Sequence, residues 1–199
     1  VFGCANFTTD QSGRYSVKVP ASTYKVKIEA GSLNYSQGLL DGVRSDVVVG
    51  ASADLSGQDV ALVAGGTASG RVVNASTGDG EQWVYIQLCA VDFYSCKNTY
   101  TDETGNFGIV GLETGRYRLD VIKGGLVRQS GRIVQVARGS VANLGTISML
   151  PGGTITGTIT GPSGVILDLD VEVQACPRTG SACVYGGTMG DGTFLIEGL

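Results

Sequence analysis

The sequence predicts an all-β fold made of tandem β-sandwich domains, one complete and two partial. Three observations predict it. Gly supplies 32 of the 199 residues, Pro only 4, and charged residues 16%, against about 25% charged in an average soluble domain. High Gly with Val, Ile and Thr marks short strands joined by tight turns, and no long helical period occurs. Apolar residues alternate with polar ones in runs such as Val84, Ile86, Leu88 and Tyr117, Leu119, Val121. Finally, one hairpin–turn–strand pattern recurs along the chain.

The clearest copy is Cys89 to Tyr117. It reads as a hairpin bounded by two cysteines, a polar turn (Thr101–Gly105), a short strand, a second turn and a tyrosine. Cys4 to Tyr15 overlays Cys96 to Phe107 without a gap, and Cys183, Gly192 and Phe194 fall in the same frame.

The five cysteines follow that frame. Cys89 and Cys96, then Cys176 and Cys183, share one spacing, and Cys4 stands alone. Zinc ribbons pair ligands across two-residue gaps and need four of them. The wider gap suits a disulfide across a hairpin, with metal ligation or free thiols as the alternatives. Cys4 is then the second cysteine of its pair, with a partner upstream of Val1. The alternative is a buried free thiol. Disulfides imply an oxidising, extracellular or cell-surface setting.

Taken in order, residues 1–65 form the latter part of a first repeat. Tyr15, Val17 and Val19 alternate as a half-buried strand, and Tyr24, Val26 and Ile28 form the next, with Lys25 and Lys27 outward. Gly31 to Gly42 is expected as a loop, with Val47–Val49 and Val60–Val63 as the last strands. Residues 66–151 form the complete repeat. Its strands are Gly70–Val73, Trp83–Cys89, the hairpin return, Phe107 and Ile109, Tyr117–Val121, Ile133–Val136 and Leu144–Met149. Residues 152–199 begin a third repeat: Gly152-Gly153 repeats Gly65-Gly66, and Gly157–Thr160, Val171–Ala175, Phe194 and Ile196 match the middle copy. A period of about 90 residues with some seven short strands is the size of a sandwich domain. Near-absent linkers predict a stiff end-to-end stack. Both ends fall within a repeat, so the chain is expected to be a window on a longer polypeptide, with partner strands able to add at open sandwich edges.

Three stretches of the middle repeat also carry a resemblance: G-x-V at Gly70–Val72, V-x-I-x-L at Val84–Leu88, and T-D-x-x-G-x-F-x-I-x-G-L-x-x-G-x-Y-x-L at Thr101–Leu119. The pattern resembles the carboxypeptidase regulatory-like domains, which belong to the transthyretin-like (prealbumin-like) β-sandwiches and are close to the Cna-B-type repeats of bacterial surface proteins. The resemblance implies an Ig-like, prealbumin-like sandwich used as a stalk, spacer or accessory domain. Cna-B domains often carry a Lys–Asn isopeptide bond. The first strands here, Gly70–Val73 and Gly157–Thr160, hold no Lys, and the repeated disulfide is expected to serve instead.

Several function classes are excluded or weakened. Net charge is −4 with scattered Lys and Arg, against the clustered positive charge that nucleic acid requires. No apolar run is long enough to span a membrane as a helix. There is no histidine, which removes the commonest general base, the Ser-His and Cys-His pairs and most catalytic zinc sites. The expectation is no enzyme and no cofactor, catalytic or metal site.

The remaining candidates each have a plainer reading. Asp10, Asp102 and Asp191, with Glu103, could offer oxygen ligands to Ca²⁺. Turn chemistry accounts for them more simply, since no calcium-loop motif is present and Asp191 is shifted by one place. Asp168, Asp170 and Glu172 line one strand face, a cation site or, more simply, a solvated face. Trp83 and Tyr85 share an outward face, with Tyr94 and Tyr100 nearby in sequence. They suit a sugar-stacking platform or, preferred, packing against the hairpin loop, a neighbouring domain or a subunit. The matching places in the third repeat hold Asp170 and Glu172, so the fold does not require the aromatics. Asn6, Asn34 and Asn74 lie in N-glycosylation frames. The preferred function is a structural module of a secreted tandem-repeat protein in a filament, stalk or surface fibre, with copies of itself or neighbouring repeats as partners. The alternative is an accessory module, of a secreted hydrolase or adhesin, that binds glycans or protein.

Overall fold

The computed structural model describes residues 4–162, 171–179 and 183–199. Among the described residues the fold is all-β apart from one short helix. The chain divides into two compact units, Val1–Val63 and Ala64–Leu199.

In the first unit β1 (Ser22–Ile28) pairs antiparallel with β2 (Gly42–Val49). Tyr24, Val26 and Ile28 are half-buried while Lys25 and Lys27 face water, the alternation a one-sided sheet requires. Tyr24 Oη donates to the carbonyl of Pro20, four residues back (2.7 Å). The connection expected as a loop contains a single helical turn, α1 (Ser32–Ser36). One turn is too short to register as a period in sequence. Tyr15–Val19 and Val60–Leu62 keep alternating burial but are not strands. Tyr15 Oη donates to Gln58 O, which ties the two segments together.

The second unit explains why they are not strands. It contains β3 (Gly66–Asn74), β4 (Tyr85–Ala90), β5 (Cys96–Tyr100), β6 (Asn106–Leu112), β7 (Gly115–Ile122), β8 (Gln129–Val136) and β9 (Val141–Met149). These make two sheets, ordered β6-β3-β9 and β5-β4-β7-β8. β3 is the hub of the first, antiparallel to β6 and parallel to β9. Tyr15–Val19 and Val60–Val63 match β6 and β9 in sequence. Among the described residues of the first unit no strand takes the place of β3, so both lack the partner that would make them ladders.

The core lies between the two sheets. Val84, Ile86 and Leu88 of the β4 segment have no exposed surface, and Phe107, Ile109, Tyr117, Leu119, Val121, Val134, Val136, Leu144, Ile147 and Met149 close over them. Each such side chain contributes about 1.5–3 kcal/mol by leaving water. Tyr117 Oη donates to Glu113 O, again four residues back (3.0 Å), so the tyrosine anchor of β1 recurs in β7.

The last part of the second unit repeats the opening of the sandwich. β10 (Thr154–Thr158) pairs with β13 (Thr193–Glu197), as β3 pairs with β6. β11 (Glu172–Ala175) pairs with β12 (Val184–Gly187), as β4 pairs with β5. A backbone contact recurs with them. A Cβ on Gly65 would stand 2.7 Å from Gly111 Cα, and one on Gly152 would overlap Gly198 Cα, so both positions admit only glycine. Gly152 N–H donates to Gly125 O, and Val127 N–H to Leu150 O (both 2.9 Å). The start of the third copy is therefore bonded directly to the β7–β8 loop of the middle one.

Candidate functional site

The hairpin joining β4 and β5 is closed by the disulfide Cys89–Cys96, and the third copy by Cys176–Cys183. Cys4 is an exposed free cysteine among the described residues. Beyond Cys89, Asp92 accepts two hydrogen bonds from Arg116 (2.8 and 3.3 Å) and Phe93 packs edge-on against Tyr117 (5.9 Å). Tyr94 is fully exposed at the tip. The tip lies at the far end of β4 from Tyr85, so the structure does not bring Tyr94 to the other aromatics.

Those aromatics gather where β4 begins. The sequence placed Trp83 in the strand, but β4 starts at Tyr85, and Gln82 and Trp83 form a turn. Trp83 has φ +59°, a conformation in which a bulky residue is a genuine outlier. Thr101, almost fully buried, holds it there. Its hydroxyl donates to Glu81 O and accepts from Val84 N–H (2.9 Å), while its carbonyl accepts from Trp83 N–H (3.2 Å). The result is an indole left 68% exposed whose ring meets the edge of Tyr100 at 6.4 Å. Tyr100 is 55% exposed and sits opposite Tyr85 across the β4–β5 ladder, with ring centres 5.4 Å apart. The hairpin loop does not cover this group.

A recess of about 490 Å³ opens beside the pair. It is lined by Trp83 and Tyr100 and by Gln82, Asp102, Glu103 and Asn106 among others. Gln82 and Asn106 carried no signal in sequence, because the recess exists only once the Gln82–Trp83 turn folds against the Asp102 turn. A recess of the same size, lined by Glu172, Tyr185, Gly186 and Gly187, lies on the third copy. It shares one place with the first, Gly187 standing where Tyr100 stands, and otherwise lies along the β11–β12 ladder.

The repeated aspartates do turn chemistry. Asp102 Oδ1 accepts from Thr104 N–H, Thr104 Oγ1 and Asn106 N–H (2.8–2.9 Å). Asp10 does the same with Ser12 and Arg14. These bonds, the side-chain hydroxyl first, hold both carboxyls below the usual aspartate range. In the third copy Met189 takes the backbone role of Asp102, accepting from Gly192 N–H. Asp191 therefore stands two places along, not one, and bonds Thr193 instead. Asp168 and Asp170 lie outside the described residues; Glu172 is exposed. No group of three potential metal ligands occurs among the described residues, nor any helix long and apolar enough to cross a membrane.

Two polar clusters were not legible in sequence. Glu81 accepts from Lys123 Nζ and from Asn74 Nδ2 (2.9 Å), and the Lys123 bond chiefly holds its carboxyl below the usual range. Asp120 is 3% exposed between Arg118 (3.7 Å) and Arg128 (3.5 Å), opposite Gln87 on the outer face of the four-stranded sheet. The three sequons also differ. Asn6 is exposed, whereas Asn34 Nδ2 donates to Leu39 O (2.7 Å) and Asn74 Nδ2 to Glu81.

No protein-family model matches the sequence, and no curated protein matches it. Solved structures give distant likenesses. A cohesin–X-dockerin complex from Acetivibrio cellulolyticus aligns with 44% of this chain and 59% of its own at 21% identity (TM-score 0.32). The TIE protein of Bacillus anthracis aligns with 79% and 32% at 15% identity (0.38). A streptococcal ancillary pilin aligns with 80% and 57% at 13% identity (0.35). The chain spans between about a third and three fifths of these matched chains, and scores of this size assign it to no family.

Proposed function

We infer that this chain is a structural segment of a secreted tandem-repeat protein, a stalk or filament of serially docked sandwiches at the cell surface. The repeats run 1–65, 66–151 and 152–199. The observation that carries this reading is the recurring glycine closure, Gly65 on Gly111 and Gly152 on Gly198. Alongside it, the third copy hydrogen-bonds directly to the β7–β8 loop through Gly152 and Gly125. A junction without linker residues transmits force and orientation, which a stalk needs and a flexibly tethered enzyme domain does not. One hairpin disulfide in each of two copies fits an oxidising exterior.

Negative-stain electron microscopy and sedimentation of the purified chain test the reading. Elongated particles that associate end to end or laterally as concentration rises are expected. Particles with freely jointed lobes and no self-association would overturn it.

A further inference from the structure

The recess beside Trp83 is unexplained by a structural role. A stalk gains nothing from an indole held two-thirds exposed in a strained backbone, and such strain persists where a site is pre-organised. Thr101 spends four hydrogen bonds fixing that turn, including those to Glu81 O, Val84 N–H and Trp83 N–H. The Trp–Tyr pair belongs to the middle copy alone in sequence, since the places of Trp83 and Tyr100 hold Asp170 and Gly187 in the third.

We propose that the Trp83–Tyr100 recess binds a neutral carbohydrate. Its wall is two exposed aromatic rings meeting edge to face, which suits the C–H face of a pyranose. Its floor and rim offer acceptors and amides: Asp102, Glu103, Gln82 and Asn106. Asp102 spends one oxygen, Oδ1, on its own turn, which leaves Oδ2 and the Glu103 carboxylate for sugar hydroxyls. Carboxylates accept only, and a polyol supplies many donors. No Lys or Arg lines the recess, so uronates, sialic acids and sulfated glycans meet like charge without compensation. The volume of about 490 Å³ falls within the range of small-molecule sites and accommodates one or two sugar rings. A second copy of this chain is a poorer occupant, because two such rims would face each other with four carboxylates. The site does not rest on the array reading, since a lone module would carry it equally.

Trp83 is the only tryptophan in the chain, so its emission reports this site alone. The intact 199-residue protein is titrated with maltohexaose, cellohexaose, xylohexaose, mannohexaose and chitohexaose, with polygalacturonate and hyaluronate as anionic comparators. A saturable shift or quench with at least one neutral sugar is expected. Tyr100→Ala should weaken it about tenfold, the loss of one ring contact, and Glu103→Gln severalfold. Trp83→Gly accepts the positive φ without strain, so it removes the indole while keeping the turn. It should abolish binding by calorimetry at an unchanged or higher unfolding midpoint. Should that variant unfold, Tyr100→Ala and Glu103→Gln decide. No response to any neutral sugar overturns the proposal. So do binding of the anionic polymers alone, undiminished binding in these variants, or an emission shift that follows protein concentration alone.

Discussion

Gly105→Ala tests whether the Asp102 turn is the clasp that closes the middle sandwich. Gly105 has φ +83°, which costs an alanine about 1–2 kcal/mol. Its Cβ would overlap the carbonyl oxygen of Val72 and lie 2.9 Å from Glu81 N and 3.0 Å from Gly80 Cα. All three are backbone atoms that cannot rotate away. Relief must stretch the bonds from Glu81 N–H to Val72 O and from Val72 N–H to Gly105 O (3.0 and 2.8 Å), at about 1 kcal/mol for each one lost. The total is about 3–4 kcal/mol. Gly78→Ala is the matched control: φ is +78° and nothing lies within 4 Å of its Cβ, so only the conformational cost of about 1–2 kcal/mol applies. Urea unfolding followed by Trp83 emission, with unchanged slope, measures both. Losses within about 0.5 kcal/mol of each other, below the resolution of such comparisons, would refute the clasp.

Three further outcomes are expected. Replacing Cys89 and Cys96 together by serine should cost about 2.5 kcal/mol, the chain-entropy value for a loop of this length; a change in urea midpoint too small to resolve would mean the hairpin holds without its staple. Glu81, whose carboxyl is depressed on folding by Lys123, contributes stability that is fully present above its unfolded pKa of about 4.3 and is lost as pH falls through the lower folded value. The stability gap between the native chain and Glu81→Gln should thus stay constant from neutral pH to about 5 and shrink below about 4.3; a gap that widens in acid contradicts the pairing. In an N-glycosylating host, peptide mapping should find Asn6 occupied ahead of Asn34 and Asn74, whose amides are already engaged. Preferential occupancy of Asn74 would show that its bond to Glu81 does not persist.

How far the sequence could be read depended on whether a residue's role was local. Val84, Ile86 and Leu88 alternate with polar neighbours, and period two alone puts them in the core. The Asp102 turn is likewise written in four consecutive positions. The helical turn at Ser32–Ser36 has no signature in sequence, because five residues carry no period. Tyr15–Val19 and Val60–Val63 have the alternation of strands, but alternation reports burial, whereas a ladder also needs a neighbour, and the neighbour is β3's counterpart. The same alternation predicts a strand face for Trp83. Its positive φ, and hence its meeting with Tyr100 and the recess, follow from Thr101, eighteen residues away in sequence. Asp120 and the Glu81–Lys123 pair are partnerships across strands and leave no local trace.

The copies differ in an ordered way. What recurs is closure. Gly65 and Gly152 press on Gly111 and Gly198, Tyr24 and Tyr117 reach back four residues, and Leu40 and Val127 N–H bond to Val63 and Leu150 O. Each of these contacts is backbone-directed and indifferent to surface chemistry. What varies is the outer face: Tyr85 against Glu172, Asn98 against Tyr185, and Tyr100 against Gly187. A purely mechanical array has no reason to hold Trp83 in a costly conformation in one copy when its counterpart position holds an aspartate in the next. Conserving the scaffold while diversifying one face is how loops and sheet faces acquire binding on a fixed frame. The stalk and the recess are therefore complementary readings of the same chain, the first resting on what the copies share and the second on what they do not.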